Sequence, residues 1–313
     1  MRIIRLSDDV FRPLPTVATI GFFDGVHRGH RYLIQRVIET ARREQLLSTV
    51  VTFEHHPRQV LSTDWHPQLL TTLDEKAALL AATGVDQLVV LTFDAETAAL
   101  SAYDFMRDVL QKRLDVKVLL TGYDNHFGHR TKDSREGFDD YVEYGRRLGM
   151  RVVQGAPQMV GDVRVSSSKV RQMLQAGDVA LAARCLGRPY ELTGTVVGGE
   201  HVGTELGFPT ANLQPTDGEK LVPAAGVYAV RVRFAGAQTG RLGMMNIGSR
   251  PTFSGDHQTL ETHIFDFHDN LYGQPLTVQF VERLRSEQKF VSREALTAQL
   301  EADARQSLEI LNR

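Results

Sequence analysis

From Gly21 to His30 the chain reads GFFDGVHRGH, two histidines three residues apart with an acid and three glycines beside them. Two imidazoles so placed can ligate a metal, pass a proton, or donate hydrogen bonds to an anion. The stretch follows the apolar run TVATI and leads into HRYLIQRVIETARREQ. There Leu33, Ile34, Val37, Ile38 and Ala41 recur at helical spacing. A helix over 29–45 would point its unpaired N–H groups and positive dipole end at the end of the preceding strand. That is a site for an anion, and phosphate is the usual one. The glycines allow a sharp turn and close approach of backbone to ligand. Zinc would need a third and fourth ligand, and the only other cluster nearby is EHHP at 54–57. Two solvated loop histidines are the plain alternative.

Four other stretches carry comparable chemistry. In VSSSKVRQML (165–174) hydroxyls precede a helix, one of them a candidate N-cap, with Lys169 and Arg171 adding positive charge. TGYDNHFG (121–128) sits at the end of a strand candidate and offers Asp124, Asn125 and His126. In GFPTANL (207–213), Thr210 and Asn212 lie two apart, so in an extended segment their oxygens face the same way. Two neutral oxygens suit a magnesium ion that also takes water and phosphate oxygens. LETHIFDF places Glu261 and His263 on one face of a strand, where a solvated carboxylate is the ordinary reading.

Elements that position these residues follow two rhythms. Strand candidates at 16–22, 46–54, 87–94, 117–124 and 150–156 alternate with amphipathic helices, which predicts a parallel sheet covered on both faces. Such sheets bind ligands at the carboxyl ends of their strands, where both GFFDGVHRGH and TGYDNHFG begin. Beyond about residue 186, ELTGTVVGG, GVYAVRVRF, RLGMMNIG, LETHIFDF and PLTVQFVERLR are strands between Gly- and Pro-bearing turns. A single helix, capped by Ser292, ends the chain. This predicts a small antiparallel barrel with a terminal helix and a boundary near LGRP, 186–189.

At 313 residues, 42% hydrophobic and 24% charged, the chain fits two globular domains. A net charge of −2 argues against a non-specific nucleic-acid binder. The lone Cys185 cannot form an internal disulfide or a cysteine-rich zinc site, and LAARCLGRP reads as the buried face of a helix. Neither a signal peptide nor a membrane-length apolar run is visible, so a cytoplasmic protein, monomeric or weakly self-associating, is expected.

At these residues the chain resembles the bacterial bifunctional riboflavin kinase/FAD synthetase family, over nearly its full length. GFFDGVHRGH is similar to the family's nucleotidyltransferase signature, a variant of HxGH, and TFEHHP, GYDNHFG and VSSSKVR follow in order. GRPYELTGTVVGGE, GTELGFPTANL, GVYAV, NIGSRPTF, LETHIFDFHDNLYG and LRSEQKF resemble the riboflavin kinase module. The resemblance implies a Rossmann-like nucleotidyltransferase domain, 1–186, that adenylylates FMN with ATP to FAD plus pyrophosphate. It implies a riboflavin kinase domain, 187–313, that phosphorylates riboflavin with ATP to FMN.

It further implies that His27 and His30 contact ATP phosphates during adenylyl transfer. Phe23, Asp24, Gly25, Gly29, Gly122, Asp124, Ser167, Ser168 and Arg171 would line that nucleotide site, with Asn125 and Phe127 toward the flavin. In the kinase, Thr210 and Asn212 would hold magnesium and ATP phosphates, and Glu261 would be the base for the flavin 5′-hydroxyl. Three positions depart from the family pattern: His55 stands for Pro, Asn125 for an aromatic residue, and Thr204 for Arg or Lys. Asn125 motivates one rival, a kinase whose adenylyltransferase site has lost turnover. A non-catalytic flavin- or nucleotide-binding regulator is another, although a binder has no need of a base.

Overall fold

A computed structural model describes the chain except for residues 7–11, 57–58, 60–66, 124–126, 129–135, 200–202, 204–205, 235–239 and 253–254. Contacts divide it into two compact units, Met1–Ser167 and Ser168–Arg313.

In the first unit, β1 (Arg2–Arg5), β2 (Thr16–Ile20), β3 (Leu47–Phe53), β4 (Gln87–Leu91), β5 (Val116–Thr121) and β6 (Arg151–Gln154) form one sheet. Its order is β1-β4-β3-β2-β5-β6, with every neighbouring pair parallel. Successive residues alternate between faces. Val17, Val50 and Leu88 join Ile34, Val37 and Ile38 of helix Arg28–Glu44 in one core. Ala18, Val51 and Val89 join Phe105, Met106 and Tyr141 in another. Two-sided burial explains why these strands read as continuous apolar runs.

From β2 the chain winds outward through β3 to β4 and then returns to β5 on the other side of β2. The order therefore reverses between β2 and β5, which is where a crevice for ligands opens in such sheets. After Leu100 a single α-turn, Ala102–Asp104, runs into a π-helix, Phe105–Arg113. The wider turn brings Phe105, Val109 and Leu110 together on the buried side. A short ribbon, β7 (Met159–Val160) with β8 (Val163–Arg164), completes the unit.

In the second unit β9 (Tyr190–Val197), β10 (Ala211–Pro215), β11 (Gly226–Phe234), β12 (Arg241–Thr252), β13 (Gly255–Ile264) and β14 (Pro275–Arg285) close into a barrel. The order is β10-β13-β12-β11-β14-β9, antiparallel throughout, so no edge is left to pair elsewhere. Leu192, Val230, Met245, Val278 and Phe280 are fully buried. All six strands come from residues 190–285, and none is borrowed from the first unit.

Helix Val179–Leu186 packs against β9 and β14, burying Val179, Ala182, Cys185 and Leu186. Cys185 is thus the core thiol its sequence setting suggests. Helix Arg293–Leu311 begins at Ser292, whose hydroxyl accepts from the Ala295 N–H at 3.2 Å. It is tied to β14 by Arg285, which donates twice to the buried Asp303 carboxylate, at 3.0 and 2.7 Å. Among the described residues no helix is long and apolar enough to cross a membrane.

Candidate functional site

The first constellation is built on the turn that leaves β2. Phe23 has φ 53°, Gly25 φ 78° and Val26 φ 40°, so three residues of the turn lie in the left-handed region. Strain of that kind persists only where surrounding contacts hold it. Here Asp24 does much of the holding. Its buried carboxylate accepts from the N–H groups of Leu70 and Thr71 and from the Thr71 hydroxyl, at 3.0–3.1 Å. Asp24 therefore braces the turn against the segment 70–72. Ser167 adds a second brace, its hydroxyl donating to the Asp24 carbonyl at 2.9 Å.

His27 caps helix Arg28–Glu44: its Nδ1 accepts from the His30 N–H at 3.2 Å. That fixes the proton of a neutral His27 on Nε2, which remains a donor. The His27 and His30 rings stack with centroids 3.5 Å apart and planes inclined by 18°, and Phe23 meets His30 edge-on at 5.0 Å. Gly29 makes room for this: a Cβ there would lie 3.1 Å from the His27 ring. Burial, then the charges of His27 and Lys76, hold His30 well below the usual histidine range. His30 is therefore neutral at the positive end of its helix. His30 Nδ1 is buried without a hydrogen-bond partner.

Gly122 directly follows β5, on the other side of the crevice. Asp124, Asn125 and His126 lie outside the described residues. Phe127 stacks on Tyr141 at 4.5 Å and packs against the sheet core, so its ring anchors the far end of that loop. Ser168 and Arg171 lie on helix Ser167–Ala176, in the part of the chain that belongs to the second unit. His55, in place of Pro, is exposed after β3. Thr204 lies outside the described residues. No group of three or more His, Cys, Asp or Glu able to hold a metal occurs among the described residues.

Lys76 is the residue of this unit that sequence reasoning missed. It is 2% exposed, and its ammonium donates to the carbonyls of Phe22 and Phe53 and to the Thr52 hydroxyl, at 3.0–3.3 Å. In sequence, EKAALL offers no sign that this lysine faces inward.

The second constellation lies in the barrel, where a cavity of about 430 Å³ opens between β12, β13 and the terminal helix. Its walls are largely apolar, with Phe208, Val227, Met244, Leu296 and Leu300 among them; Glu261, His263, Asn246 and Arg285 supply polar groups. Glu261 is paired with Asn212 on β10 and with Asn246 on β12. The three side chains thus form a row across one face of the barrel wall, since directly opposed residues share a face. On the other face Thr262 lines a second cavity of about 280 Å³ with His268, Asn270 and Tyr272, and its buried hydroxyl has no partner. Thr210 borders both cavities.

The Asn212 amide lies over Gly199, where a Cβ would fall 2.0 Å from its Nδ2. Only glycine admits that approach. His263 Nδ1 lies 2.8 Å from the Pro209 carbonyl, which can only accept, so Nδ1 carries the proton and holds the PTAN segment to β13. Burial lowers the pKa of His263, keeping it neutral. Asn246 and Arg285 at the larger cavity and Thr262 at the smaller are not legible in the sequence, because strand register alone brings them to these cavities.

The family model for FAD synthetase matches residues 12–169, and that for riboflavin kinase matches residues 186–311. The bifunctional riboflavin kinase/FMN adenylyltransferase of Escherichia coli K12 is 41% identical over 290 residues, 92% of this chain and 90% of that protein. The Bacillus subtilis protein of the same description is 34% identical over 94% of this chain and 92% of its own length. A crystal structure described as a macrolide-efflux protein from Streptococcus pneumoniae superposes with a TM-score of 0.87 at 30% identity, covering 97% of this chain and 98% of that one. Two catalytic modules in one chain, matched over most of its length by bifunctional relatives, place this protein in the bifunctional riboflavin kinase/FMN adenylyltransferase family, which converts riboflavin to FMN and FMN to FAD at the expense of ATP.

Proposed function

We propose that riboflavin occupies the larger barrel cavity with its 5′-hydroxyl at Glu261, and that ATP reaches that hydroxyl from the smaller cavity across Thr210. The observation that carries this reading is the row Asn212–Glu261–Asn246, with Thr210 shared by both cavities. A flat ring system suits the apolar wall. The nucleophile is a neutral hydroxyl, so a base beside it is useful. Glu261 takes the proton as the hydroxyl oxygen bonds to the γ-phosphorus and ADP leaves. Thr210 and Asn212, neutral oxygens beside the cradle at Gly199, fit magnesium that also takes phosphate oxygens. Magnesium when bound would neutralise charge on the transferring phosphoryl group.

Adenylyl transfer is assigned to the turn after β2. An FMN phosphate oxygen, already ionised, attacks the α-phosphorus and pyrophosphate leaves, so the requirement is charge stabilisation rather than a base. His27 and His30, with the first N–H groups of their helix, would donate to the phosphates. Phe23, Gly25, Gly29 and Gly122 would supply close backbone, Ser167 and Asp24 would brace the turn, and Ser168 and Arg171 would add donors. On the β5 loop Asp124 would face the nucleotide, and Asn125 and Phe127 would border the flavin. The enzyme is proposed to work in the cytoplasm on small molecules alone, as a monomer or weak oligomer.

Incubating the pure protein with riboflavin and ATP should give FMN and then FAD on chromatography when magnesium is present, and neither when it is chelated. Undiminished products without magnesium would overturn the metal assignment. FMN alone would confine turnover to the barrel.

We assign adenylylation to residues 1–186 and phosphorylation to 187–313. A fragment 187–313 should still make FMN, because it holds every barrel strand. It should melt below a fragment 168–313, which keeps helix Val179–Leu186. Burying a Val or Leu side chain contributes about 1.5–3 kcal/mol, so a difference of at least roughly 5 °C is expected by thermal melting. Loss of FMN formation in both fragments would count against the division.

A further inference from the structure

We propose that Lys76 is a positioning residue for adenylyl transfer, its ammonium clamping the carboxyl ends of β2 and β3 and so fixing the histidine turn from behind. The inference rests on the adenylylation site being that turn.

Its three donors have three acceptors: the Phe22 carbonyl at 3.0 Å, the Thr52 hydroxyl at 3.1 Å and the Phe53 carbonyl at 3.3 Å. The Thr52 hydroxyl in turn donates to the Phe22 carbonyl at 3.1 Å. Phe22 is the last residue before the left-handed turn, and Phe53 is the last residue of β3. The clamp therefore sets where the chain leaves the sheet toward His27 and His30. The Phe22 ring lies under the ammonium at 4.1 Å, and His56 meets the same ring at 4.7 Å.

Only a protonated lysine fills three acceptors; the neutral amine has two donors. Burial brings Lys76 from the ordinary 10.5 to about 8, with Asp24 opposing the fall. The titratable groups around it are Asp24 on the turn, His27 and His30 at the helix start, His56 after β3, and Asp74 and Glu75 on its own helix. β2 and β3 present to it the carbonyls and hydroxyl already named. Adenylyl transfer should then fall as pH rises through about 8. Folding responds in the opposite sense. Between about 8 and 10.5 the unfolded chain holds the proton that the folded chain has released. The contribution of this group to stability therefore rises with pH over that window. An alkaline loss of FAD formation without a fall in melting temperature separates the clamp from simple unfolding.

The experiment uses full-length protein, supplied with FMN and ATP for one activity and riboflavin and ATP for the other, across pH 8. In the parent, kcat/KM for FAD formation should show an alkaline limb near pH 8 that FMN formation lacks. Lys76→Met should remove that limb and raise KM for ATP in adenylylation by about tenfold to a hundredfold, the scale of lost charge-assisted hydrogen bonds. FMN formation should stay within about twofold. Substrate ionisation is common to both proteins and cancels in the comparison. A Lys76→Met enzyme with the parental KM and the parental limb overturns the proposal. Should that variant not fold, a parental profile flat through pH 8 overturns it equally. If His27→Ala leaves FAD formation intact, the site assignment itself fails. If His27→Ala abolishes FAD formation and Lys76→Met is neutral, the clamp alone fails.

Discussion

Replacing His27 with Ala is expected to lower FAD formation from FMN by about 10²–10³ while FMN formation from riboflavin continues at the parental rate. The size follows from removing one positioned donor to charge that develops on the leaving pyrophosphate. His27 also caps its helix through Nδ1, so the substitution should cost about 1 kcal/mol of stability as well. His27→Asn separates the two effects. Asn is a good N-cap and should restore the melting temperature, yet it cannot stack on His30 as the imidazole does at 3.5 Å. FAD formation should therefore remain low in His27→Asn. His30→Ala should be similarly slow without the loss of the cap. Either alanine variant forming FAD at the parental rate would sink the phosphate-clamp assignment, and stoichiometric bound zinc in the parent would replace it with a metal site.

Much of this arrangement is legible in the sequence because hydrophobic period and function agree there. Leu33, Ile34, Val37, Ile38 and Ala41 mark one helical face, and all are buried. β2, β3, β4 and β5 are largely apolar runs because both faces of the sheet are covered there. β1 is not legible: RIIR has four residues and an arginine at each end, and it pairs only with β4 at the sheet edge. β10, ANLQP, has weak strand chemistry and is held by closure of the barrel between β9 and β13. The π-helix after Asp104 follows from packing rather than from local preference.

At the sites, the motifs gave residue types but not their division of labour. The resemblance sets Asp24 in the lining of the nucleotide site, and its carboxylate is turned inward to residues 70–71. Nothing in the sequence around Lys76 marks it as inward-facing, yet it is buried. Both depend on contacts across 23–54 residues of chain, which no local pattern encodes. The row Asn212–Glu261–Asn246 depends on strand register, and a shift of one residue would turn Glu261 to the opposite face.

That register makes Glu261→Gln the most demanding test of the kinase site. A carboxylate on the outer face of a strand would be replaceable by an amide at a cost of about 0.5 kcal/mol or less and with activity unchanged. Glu261 instead lines the cavity, between two asparagines and beside Thr210. Gln keeps the size of the side chain and its capacity for hydrogen bonds with those neighbours, but loses the proton-accepting oxygen. General-base assistance is worth about 10²–10⁴-fold, so kcat for FMN formation should fall by that factor while KM for riboflavin and ATP changes little. FAD formation from supplied FMN should persist, since it belongs to the turn after β2. His263 is a poor substitute for the lost base. Its Nδ1 is committed to the Pro209 carbonyl at 2.8 Å, and burial already weakens its hold on a second proton. His263→Ala should accordingly loosen the PTAN segment and raise KM for ATP more than it lowers kcat. A Glu261→Gln protein that phosphorylates riboflavin at the parental rate would show that the hydroxyl proton leaves without this carboxylate, and positioning alone would then have to account for the kinase.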